Sequence, residues 1–407
     1  MSLDIAALRS AVPGLHRSIR GESLIYLDYA ATAQRPQAVL DAVYRANTEL
    51  NANVHRGVHT VSAEVSAAFE AARARVATFL GAEPSEIVFT RGTTEALNLA
   101  AQGIAATRLR PRSRILLTQQ EHHANLVPWQ LVAHPRGARV ECMRLDDAGS
   151  IDVEAAHRQI RAGGLAVLGL PLVSNVLGSR APVETLSAAA RDVGAVVVVD
   201  AAQAVAHGPL DVHAIGADVV AFSGHKVYGP TGIGVLWARS DLLHAWPPWQ
   251  GGGDMIERVS FDSTTYRPPP ARFEAGTPPI AAALGLHAAL DWLDAVGWST
   301  IRARETQLRA RLLAILDGLD FIERLPGRPD VPLACFNVRG VHAHDVGTIL
   351  DQHGIAVRTG RHCADPLHTL LGLDASVRAS ASFLNTEAEL DHLEAALGEV
   401  AEVFGVV

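Results

Sequence analysis

A lysine held between two apolar runs is the residue of this chain best suited to covalent chemistry. Lys226 lies in a glycine-rich turn, with residues 219–222 before it and residues 233–237 after it, and both runs are typical of buried strands. Burying an ammonium group is costly, but a neutral amine in such a place can form a Schiff base with an aldehyde. Ser223 and His225 flank the lysine with the donors that a phosphate ester needs. A surface hairpin with a solvated lysine would fit this stretch about as well.

A second stretch supplies an acid that matches this lysine. Residues 195–199 form an apolar, mostly β-branched run that ends in Asp200, and Gln203 follows soon after. Such a run is typical of a central parallel strand, so Asp200 falls at the carboxyl end, where open α/β sheets bind ligands. Pyridoxal phosphate chemistry requires a Schiff-base lysine and an acid that keeps the pyridine nitrogen protonated. Asp200 alone is a weak signal, but with Gln203 and the lysine stretch it predicts a pyridoxal phosphate site.

Length and composition limit the class of protein. A chain of 407 residues, 48% of them hydrophobic, is long enough for two lobes. The formal net charge of -8 and the absence of a basic stripe argue against nucleic-acid binding, and no long apolar run predicts a membrane span. The first residues do not resemble a signal peptide. Three cysteines without a CxxC pair favour neither a disulfide framework nor a structural zinc site, so we expect a cytoplasmic protein.

Strand-like runs alternate with amphipathic helical stretches through the first two thirds of the chain. This alternation predicts an α/β fold, with a mostly parallel sheet and helices on both faces. A helical stretch at 280–319 then leads to a smaller α+β lobe, with a final helix from Thr386. We predict a large domain at 21–289 and a small domain made of 1–20 and 290–407. The predicted strands are 87–90, 115–118, 140–145, 166–170, 196–199, 219–222 and 234–237 in the large domain, and 333–338, 356–358 and 377–380 in the small one.

Three further loops carry groups that suit a bound cofactor. Residues 91–99 follow a predicted strand and open a helix, where Thr94 presents a hydroxyl beside free N–H groups suited to phosphate. An ordinary helix cap explains the same residues equally well. A histidine after the next strand suits ring stacking and proton transfer, but His122 and His123 are adjacent and the pattern does not choose between them. Asn175 ends a later strand and brings an amide to the same edge.

A long polar excursion follows the large-domain strands. Residues 255–273 are introduced by three glycines and closed by three prolines, and they predict a long loop or a hairpin. Long ordered loops are often functional or interfacial. Thr277 comes directly after this excursion, in a stretch whose hydroxyl and glycine chemistry again suits phosphate.

Residues 357–366 form a polar loop around Cys363. An arginine and a histidine precede the thiol, and neighbouring cations favour the thiolate. The commoner fate of a free cysteine is to be buried and inert. Cys142 and Cys335 fit that fate because both lie in apolar strand patterns, whereas the polar loop argues against it for Cys363. Arg378, on a short predicted strand, suits either a bidentate clamp on a carboxylate or a surface ion pair.

These motifs together resemble a known family. The chain is similar to the class V (fold type I) pyridoxal phosphate enzymes and, within them, to the SufS-type, or type II, cysteine desulfurases. The matching motifs occur in family order over nearly the whole chain, and the cysteine loop has the type II sequence R-T-G-x-H-C-A. They are residues 26–32 (YLDYAAT), 54–59 (VHRGVH), 91–98 (RGTTEALN), 121–125 (EHHAN), 200–203 (DAAQ), 223–226 (SGHK), 274–277 (EAGT) and 358–366 (RTGRHCADP).

The resemblance implies a role for each matching residue. Lys226 links to the cofactor and later moves protons, and His123 stacks on the ring and acts as an acid and base. Cys363 attacks the sulfur of the substrate L-cysteine, which leaves a persulfide and alanine. The implied binding residues are Asp200 at the pyridinium nitrogen, Gln203 at the ring hydroxyl, Thr94, Ser223 and His225 at the phosphate, Asn175 and Arg378 at the substrate carboxylate, and Arg358 near its sulfur.

The resemblance also implies partners. The family is homodimeric, so Thr277 is expected to reach the phosphate of the partner subunit, and the 255–273 excursion to reach the neighbouring site. A SufE- or SufU-like protein is the expected sulfur acceptor, for iron–sulfur cluster assembly. Asp365 and Arg361 differ from the residues common in relatives. The acid is expected to raise the thiol pKa and the arginine to offset it.

Three alternatives differ in the chemistry they need. A selenocysteine lyase, with L-selenocysteine as substrate, has an activity that overlaps with that of a cysteine desulfurase. An aminotransferase, in contrast, has no need of Cys363. A dinucleotide-binding enzyme would use the glycines at 229–234, but their spacing is wrong and a strand follows them. A non-catalytic relative is disfavoured because Lys226, Asp200 and Cys363 are all present.

Overall fold

The computed structural model describes residues 4–406, so residues 1–3 and 407, at the ends of the predicted small domain, lie outside it. The strands are β1 (Ser18–Ile19), β2 (Glu22–Ser23), β3 (Ile25–Tyr26), β4 (Ile87–Thr90), β5 (Arg114–Thr118), β6 (Arg139–Met143), β7 (Leu165–Pro171), β8 (Val196–Asp200), β9 (Val219–Ser223), β10 (Gly234–Ala238), β11 (Ile256–Val259), β12 (Thr264–Tyr266), β13 (Ile322–Arg324), β14 (Leu333–Val338), β15 (Ile355–Ala356), β16 (Arg358–Gly360) and β17 (Ser376–Ser380). The helices are α1 (Ile5–Ser10), α2 (Gln37–Thr48), α3 (Thr60–Leu80), α4 (Thr93–Thr107), α5 (Val127–Ala133), α6 (Val153–Arg161), α7 (Val183–Asp192), α8 (Ser240–Ala245), α9 (Ile280–Val296), α10 (Trp298–Gly318), α11 (Ala343–Gln352), α12 (Asp365–Leu370) and α13 (Glu387–Phe404).

A seven-stranded sheet forms the centre of the larger part of the chain. Its order is β4-β10-β9-β8-β7-β5-β6, and β10 alone runs against its neighbours. The predicted α/β fold with a mostly parallel sheet is therefore confirmed. Each of the seven predicted strands is present, with ends that differ by no more than two residues.

The valines of β8 explain why this sheet is covered on both faces. Val197 and Val199 pack into a core with α3, α7 and α9, whereas Val196 and Val198 pack into a second core with α4, α5 and α8. Successive side chains of a strand point to opposite faces, so an unbroken apolar run needs helices on each side. This burial fixes β8 in the middle of the sheet and with it the position of Asp200.

The smaller part is built on the antiparallel sheet β13-β14-β17-β16, which packs against α10, α11 and α13. The N-terminal segment joins it through parallel pairing of β3 with β15. The predicted strand at 356–358 is wrong as a unit, because β15 and β16 belong to different sheets. The predicted helix at 280–319 is also interrupted, because Gly297, with φ of 92°, ends α9 in a conformation that favours glycine.

The predicted division of the chain at residues 20 and 290 stays a prediction. Ile25 and Leu27 pack in the core of the smaller part, whereas Val12 and Leu15 pack in the larger core.

Among residues 4–406 no helix alone has the length and apolarity to cross a membrane. Only α9 and α10 taken as a pair, bent by 78°, meet that measure by length and composition.

The 255–273 excursion contains a hairpin, in which β11 and β12 pair antiparallel. Its tip is open to solvent. Phe261 and Val259 are both exposed, with no described side chain covering the Phe261 ring. The hairpin prediction is thus confirmed, and the apolar tip projects from the chain.

Candidate active site

A cleft of about 210 Å³ opens at the carboxyl edge of the main sheet. The last residues of β7, β8 and β9 (Pro171, Asp200 and Ser223) line it, as expected for an open α/β sheet. The cleft brings together nine of the predicted site residues: Lys226, Asp200, Gln203, Thr94, Ser223, His225, Asn175, Arg358 and Arg378. His123, Thr277 and Cys363 are not among the described residues that line it.

Lys226 ends a short 3-10 turn, Gly224–Lys226, that directly follows β9. Burial lowers the pKa of its amine to about 8, against the opposing effects of Asp200 and Cys363. A neutral amine is therefore available near neutral pH, as a Schiff-base nucleophile needs. The turn is anchored from the N-terminal segment, because the His225 carbonyl accepts hydrogen bonds from the Ala33 N–H at 2.9 Å and the Thr32 hydroxyl at 3.2 Å.

Asp200 and Gln203 form the floor of the cleft. Asp200 is 7% exposed, and its Oδ1 accepts a hydrogen bond from the Ala202 N–H at 2.9 Å. Burial raises the pKa of this carboxyl, while the Ala202 N–H and Lys226 oppose the rise. Gln203 donates from Nε2 to the Ala30 carbonyl at 2.8 Å, which fixes its amide at the cleft wall. A buried acid of this kind is stabilised as the anion by a cationic partner.

A site suited to a phosphate group lies where β9 meets the start of α4. The Ser223 Oγ accepts a hydrogen bond from the Thr93 N–H at 2.8 Å and lies 2.7 Å from the Thr93 hydroxyl, while Thr94 is exposed to the cleft. Gly234, on β10, lets the backbone just before α4 lie close to the sheet, since a Cβ at Gly234 would lie 2.3 Å from the Gly92 Cα. Free N–H groups at a helix start and two hydroxyls make an anion site. Burial, with Lys226 and Arg35, lowers the pKa of the neighbouring His225 to about 4.

The two adjacent histidines take different positions. The resemblance pointed to His123 as the residue at the cofactor ring, yet His122 lines the cleft and His123 lies beside Asp365, with Nε2 2.9 Å from the Asp365 carboxylate. The ring-facing role of His123 stays a prediction. Burial, followed by the charge of Lys226, lowers the pKa of His122 to about 3.

Arg378 is held in the wall of the cleft, not on the surface. Its Nη1 donates to the Asn175 carbonyl and its Nη2 to Asp28, each at 3.0 Å. The side chain is 1% exposed, and its buried Nε has no hydrogen-bond partner among the described residues. Such an unpaired donor is expensive unless a ligand satisfies it. Asp28 was missed in the sequence as a partner of Arg378, although the motif YLDYAAT contains it.

Cys363 lies in a tight turn next to the cleft. The Arg358 Nη2 is 3.6 Å from its sulfur, and Arg358 lines the cleft. Asn175 fixes the turn by donating from Nδ2 to the His362 carbonyl at 2.7 Å. The thiol is partly exposed, so it is not the buried, inert kind.

The other cysteines differ from each other. Cys335 is buried, as predicted, and burial raises the pKa of its thiol to about 12. Cys142 is exposed, so the prediction that it is buried is wrong. Its strand β6 is at the edge of the sheet. Desolvation and the charge of Glu121 nevertheless raise the pKa of the Cys142 thiol to about 11, which leaves it largely protonated.

Comparison with known proteins gives one consistent result. The class V aminotransferase family model matches residues 25–393. A "probable cysteine desulfurase" of Streptomyces coelicolor is 45% identical over 413 residues, covering 99% of this chain and 98% of that protein. The chain belongs to the cysteine desulfurases of the class V aminotransferase family. It is also 43% identical to a "cysteine desulfurase" of Serratia proteamaculans, over the full length of both.

Solved structures of cysteine desulfurases have the same architecture. The apo enzyme from Thermococcus onnurineus superposes with a TM-score of 0.93 at 38% identity, covering 99% of each chain. The cysteine desulfurase CsdA of Escherichia coli, in an S-sulfonic acid form, gives a TM-score of 0.91 at 38% identity, covering 99% of this chain and all of that one. As a cysteine desulfurase, this chain is an enzyme whose cofactor is pyridoxal phosphate.

The residues of the cleft themselves fit pyridoxal phosphate. Lys226, with its lowered pKa, suits the aldehyde of the cofactor, and the buried acid at the end of β8 suits its pyridinium nitrogen. The anion site at the start of α4 suits its phosphate. The sequence contains another signal that was missed. Lys226 is the only lysine of the chain, in which lysine and arginine together number 35.

Proposed function

We propose that this cysteine desulfurase converts L-cysteine to L-alanine and holds the released sulfur as a persulfide on Cys363. The observation that carries the proposal is the contact between the Cys363 sulfur and Arg358 at 3.6 Å, since Arg358 lines the cleft that also contains Lys226. Pyridoxal phosphate, when bound, supplies an electron sink conjugated to the substrate Cα. The residues of the chain supply binding, proton transfer and the sulfur acceptor.

The substrate carboxylate is assigned to Arg378 and Asn175. Arg378 is the buried cation of the cleft, and its unpaired Nε leaves a donor for a carboxylate oxygen. Lys226 is assigned to the proton at the substrate Cα, because an amine with a pKa of about 8 can both take and return a proton near neutral pH.

The thiolate of Cys363 is the assigned nucleophile. It attacks the substrate sulfur, so that a sulfur–sulfur bond forms as the carbon–sulfur bond breaks. The electron pair of the broken bond stays with the carbon framework, which takes a proton to become alanine. The guanidinium of Arg358 stabilises the thiolate, since the ionised form is the one that reacts.

The persulfide sulfur is then transferred from Cys363 to an acceptor protein. The R-T-G-x-H-C-A loop supports a SufS-type enzyme that passes sulfur to a SufE- or SufU-like protein for iron–sulfur cluster assembly. A thiol that must alternate between free and persulfide forms is compatible with the reducing cytoplasm, where we place this reaction.

Single-turnover incubation with L-cysteine tests the activity. We expect one alanine and one protein-bound persulfide sulfur per active site, measured by amino-acid analysis and by intact-protein mass. Alanine without protein-bound sulfur, or no alanine, would contradict the proposal.

We propose that His123 faces the cofactor ring, as the resemblance implies. His123→Ala is expected to lower kcat about a hundredfold and to shift the visible absorption band of the bound cofactor, because the imidazole beside the ring is lost. His122→Ala changes the histidine that lines the cleft, and it is expected to leave that band in place. A shifted band with His122→Ala and an unchanged band with His123→Ala would give the role to His122.

We also propose a homodimer with shared sites, since Thr277 is exposed and lies outside the cleft of its own chain. Thr277→Val is expected to weaken cofactor binding about tenfold, because one hydrogen bond to the phosphate is lost. A mixture of Thr277→Val and Lys226→Ala subunits should regain one tight site per mixed dimer, measured as activity at limiting cofactor. No recovery after mixing, or a monomer active at all dilutions, would refute sharing.

A further inference from the structure

His362, the residue before Cys363, is a buried histidine with one ring nitrogen that has no partner. The residue lines the cleft and is 2% exposed, and its Nδ1 has no hydrogen-bond partner among the described residues. The sequence predicts a cation at this position. Burial, followed by the charge of Arg378, instead lowers the pKa of His362 to about 2, so the ring is neutral near neutral pH. A neutral imidazole has one donor nitrogen and one acceptor nitrogen, so the position of its proton decides what His362 offers to a ligand.

A chain of three hydrogen bonds fixes that proton. It begins at His368, whose Nδ1 lies 3.2 Å from the Ala364 carbonyl oxygen, an atom that only accepts. The Nδ1 of His368 therefore carries a proton. Burial also lowers the pKa of His368, so near neutral pH its ring is neutral and its Nε2 is bare. The Ser376 hydroxyl lies 3.0 Å from that Nε2 and has one proton, which it donates there.

The second contact of Ser376 continues the chain to His362. The Ser376 Oγ also lies 3.0 Å from the Nε2 of His362. Because the only hydroxyl proton is given to His368, this oxygen accepts from His362, and the proton of the His362 ring lies on Nε2. The Nδ1 of His362 is then bare, so it can accept a hydrogen bond but cannot donate one. Together Ser376 and His368 hold His362 as an acceptor.

The same strand supplies this chain and the cation assigned to the substrate carboxylate. Ser376 and Arg378 are two positions apart on β17, so their side chains lie on one face of the strand. The backbone of His362 is also fixed, because its carbonyl accepts a hydrogen bond from the Asn175 Nδ2 at 2.7 Å. His362 and Cys363 have φ of 50° and 57°, a left-handed conformation that persists only where surrounding contacts enforce it. His362 is therefore joined to the carboxylate site by hydrogen bonds and to the thiol by the chain itself.

The substrate has one donor left for the bare nitrogen. The carboxylate of L-cysteine only accepts hydrogen bonds and is assigned to Arg378 and Asn175, and its amine is taken up in bonding to the cofactor aldehyde. The thiol remains, and an S–H group is a weak donor. Directing that S–H bond at His362 fixes the rotation of the substrate side chain, and correct alignment of the reacting atoms speeds bond formation.

We propose that the Nδ1 of His362 accepts a hydrogen bond from the substrate thiol and so orients the substrate sulfur for attack by Cys363. The proton stays on that sulfur while the sulfur–sulfur bond forms. His362 contacts the substrate, whereas Ser376 and His368 are positioning residues that act through it. The proposal rests on the proposed function, in which Cys363 is the sulfur acceptor.

L-Serine and L-alanine probe this hydrogen bond without the desulfurase reaction. Serine has a hydroxyl where cysteine has a thiol, and alanine has no donor there. Titration of the holoenzyme, followed by the cofactor absorption band, gives the Kd of each amino acid. The unaltered enzyme should bind serine about tenfold more tightly than alanine, and His362→Phe should bind both about equally, because one hydrogen bond is lost. No serine preference in the unaltered enzyme, or one that His362→Phe leaves intact, would overturn the proposal.

His344→Phe is the matched control. His344 is an exposed histidine whose Nδ1 lies 3.1 Å from the Thr359 hydroxyl, and it is not among the described residues that line the cleft. The same substitution at this position should keep the full serine preference. If both variants lost the preference equally, the effect would not be specific to His362 and the proposal would be wrong.

Variants of Ser376 test the chain with His362 in place, and they carry the test if His362→Phe does not hold the cofactor. Ser376→Ala frees His362 to take either tautomer, so the serine preference should fall about threefold, and Ser376→Thr should restore it. In a single turnover with L-cysteine, Ser376→Ala should slow persulfide formation on Cys363 by a similar factor. The change of the cofactor band on adding L-cysteine should keep its rate. Equal behaviour of the alanine and threonine variants would contradict the role of the hydroxyl.

The position of the proton can also be measured directly. Nitrogen NMR of enzyme labelled at histidine distinguishes a protonated ring nitrogen from a bare one, and the His362 signals are identified by their loss in a His362 variant. We expect the proton on Nε2 in the unaltered enzyme, and a proton on Nδ1 would overturn the proposal. If the unaltered enzyme places no sulfur on Cys363, the proposed function fails, and that result is distinct from a wrong tautomer or a missing serine preference.

Discussion

Lys226→Ala is expected to lower alanine formation from L-cysteine by at least about a thousandfold. The variant loses both the amine that would hold the cofactor aldehyde and the base assigned to the substrate Cα. No other side chain can replace this amine, because Lys226 is the only lysine of the chain. Burial lowers the pKa of the Lys226 amine to about 8. Alanine release is measured in steady state with added pyridoxal phosphate, so that weak cofactor retention does not limit the rate.

A matched variant shows whether the loss is chemical or structural. Arg35→Ala removes a cation that helps to lower the pKa of His225, the residue next to Lys226 in the turn, but it leaves the Lys226 amine in place. It should keep most of the activity, and both variants should unfold at similar temperatures. Borohydride reduction should attach the cofactor to the enzyme at Lys226 and at no site in Lys226→Ala. Turnover retained in Lys226→Ala would refute the assignment.

Cys363→Ser is expected to keep the cofactor absorption band and its change on adding L-cysteine, yet to lose sulfur transfer by at least about a hundredfold. A hydroxyl keeps the shape of the turn but is protonated near neutral pH and cannot replace a thiolate in sulfur exchange. The added sulfur of the unaltered enzyme should map by peptide mass to the segment that contains Cys363.

The other two thiols provide the controls. Cys142→Ser and Cys335→Ser are expected to form persulfide at the parent rate, because their pKa values of about 11 and 12 keep both thiols protonated. Cys142 is the sharper control, since it is exposed and its accessibility alone does not set it apart from Cys363. Sulfur found on Cys142 or Cys335, or sulfide released by Cys363→Ser at the parent rate, would refute the mechanism.

Burial explains which parts of the fold could be read from the sequence. The valine run of β8 has one stable solution, a strand covered on both faces, so the strand and its terminal Asp200 were predictable. The break of the long helix at Gly297 depends on a single positive φ, and the split around Val357 depends on pairing with two different sheets. Local periodicity contains neither kind of information.

The site was predictable as a set of residues but not in its orientation. Adjacent residues such as His122 and His123 differ only in the direction of their side chains, and the His123 ring contacts Asp365, which is more than two hundred residues away in sequence. The exposure of Cys142 likewise depends on β6 being an edge strand, which strand composition does not reveal. Motifs identified the chemistry, whereas long-range contacts assigned each side chain to the cleft or to the thiol turn.

The solitary lysine makes this enzyme unusually simple to label. Every other side-chain cation of lysine or arginine type is a guanidinium, which does not condense with aldehydes or acylating reagents as an amine does. Apart from Lys226, only the amino terminus offers a primary amine to an active ester or to free pyridoxal phosphate. With that terminus blocked, the extent of amine acylation would measure directly how much of the enzyme lacks its cofactor.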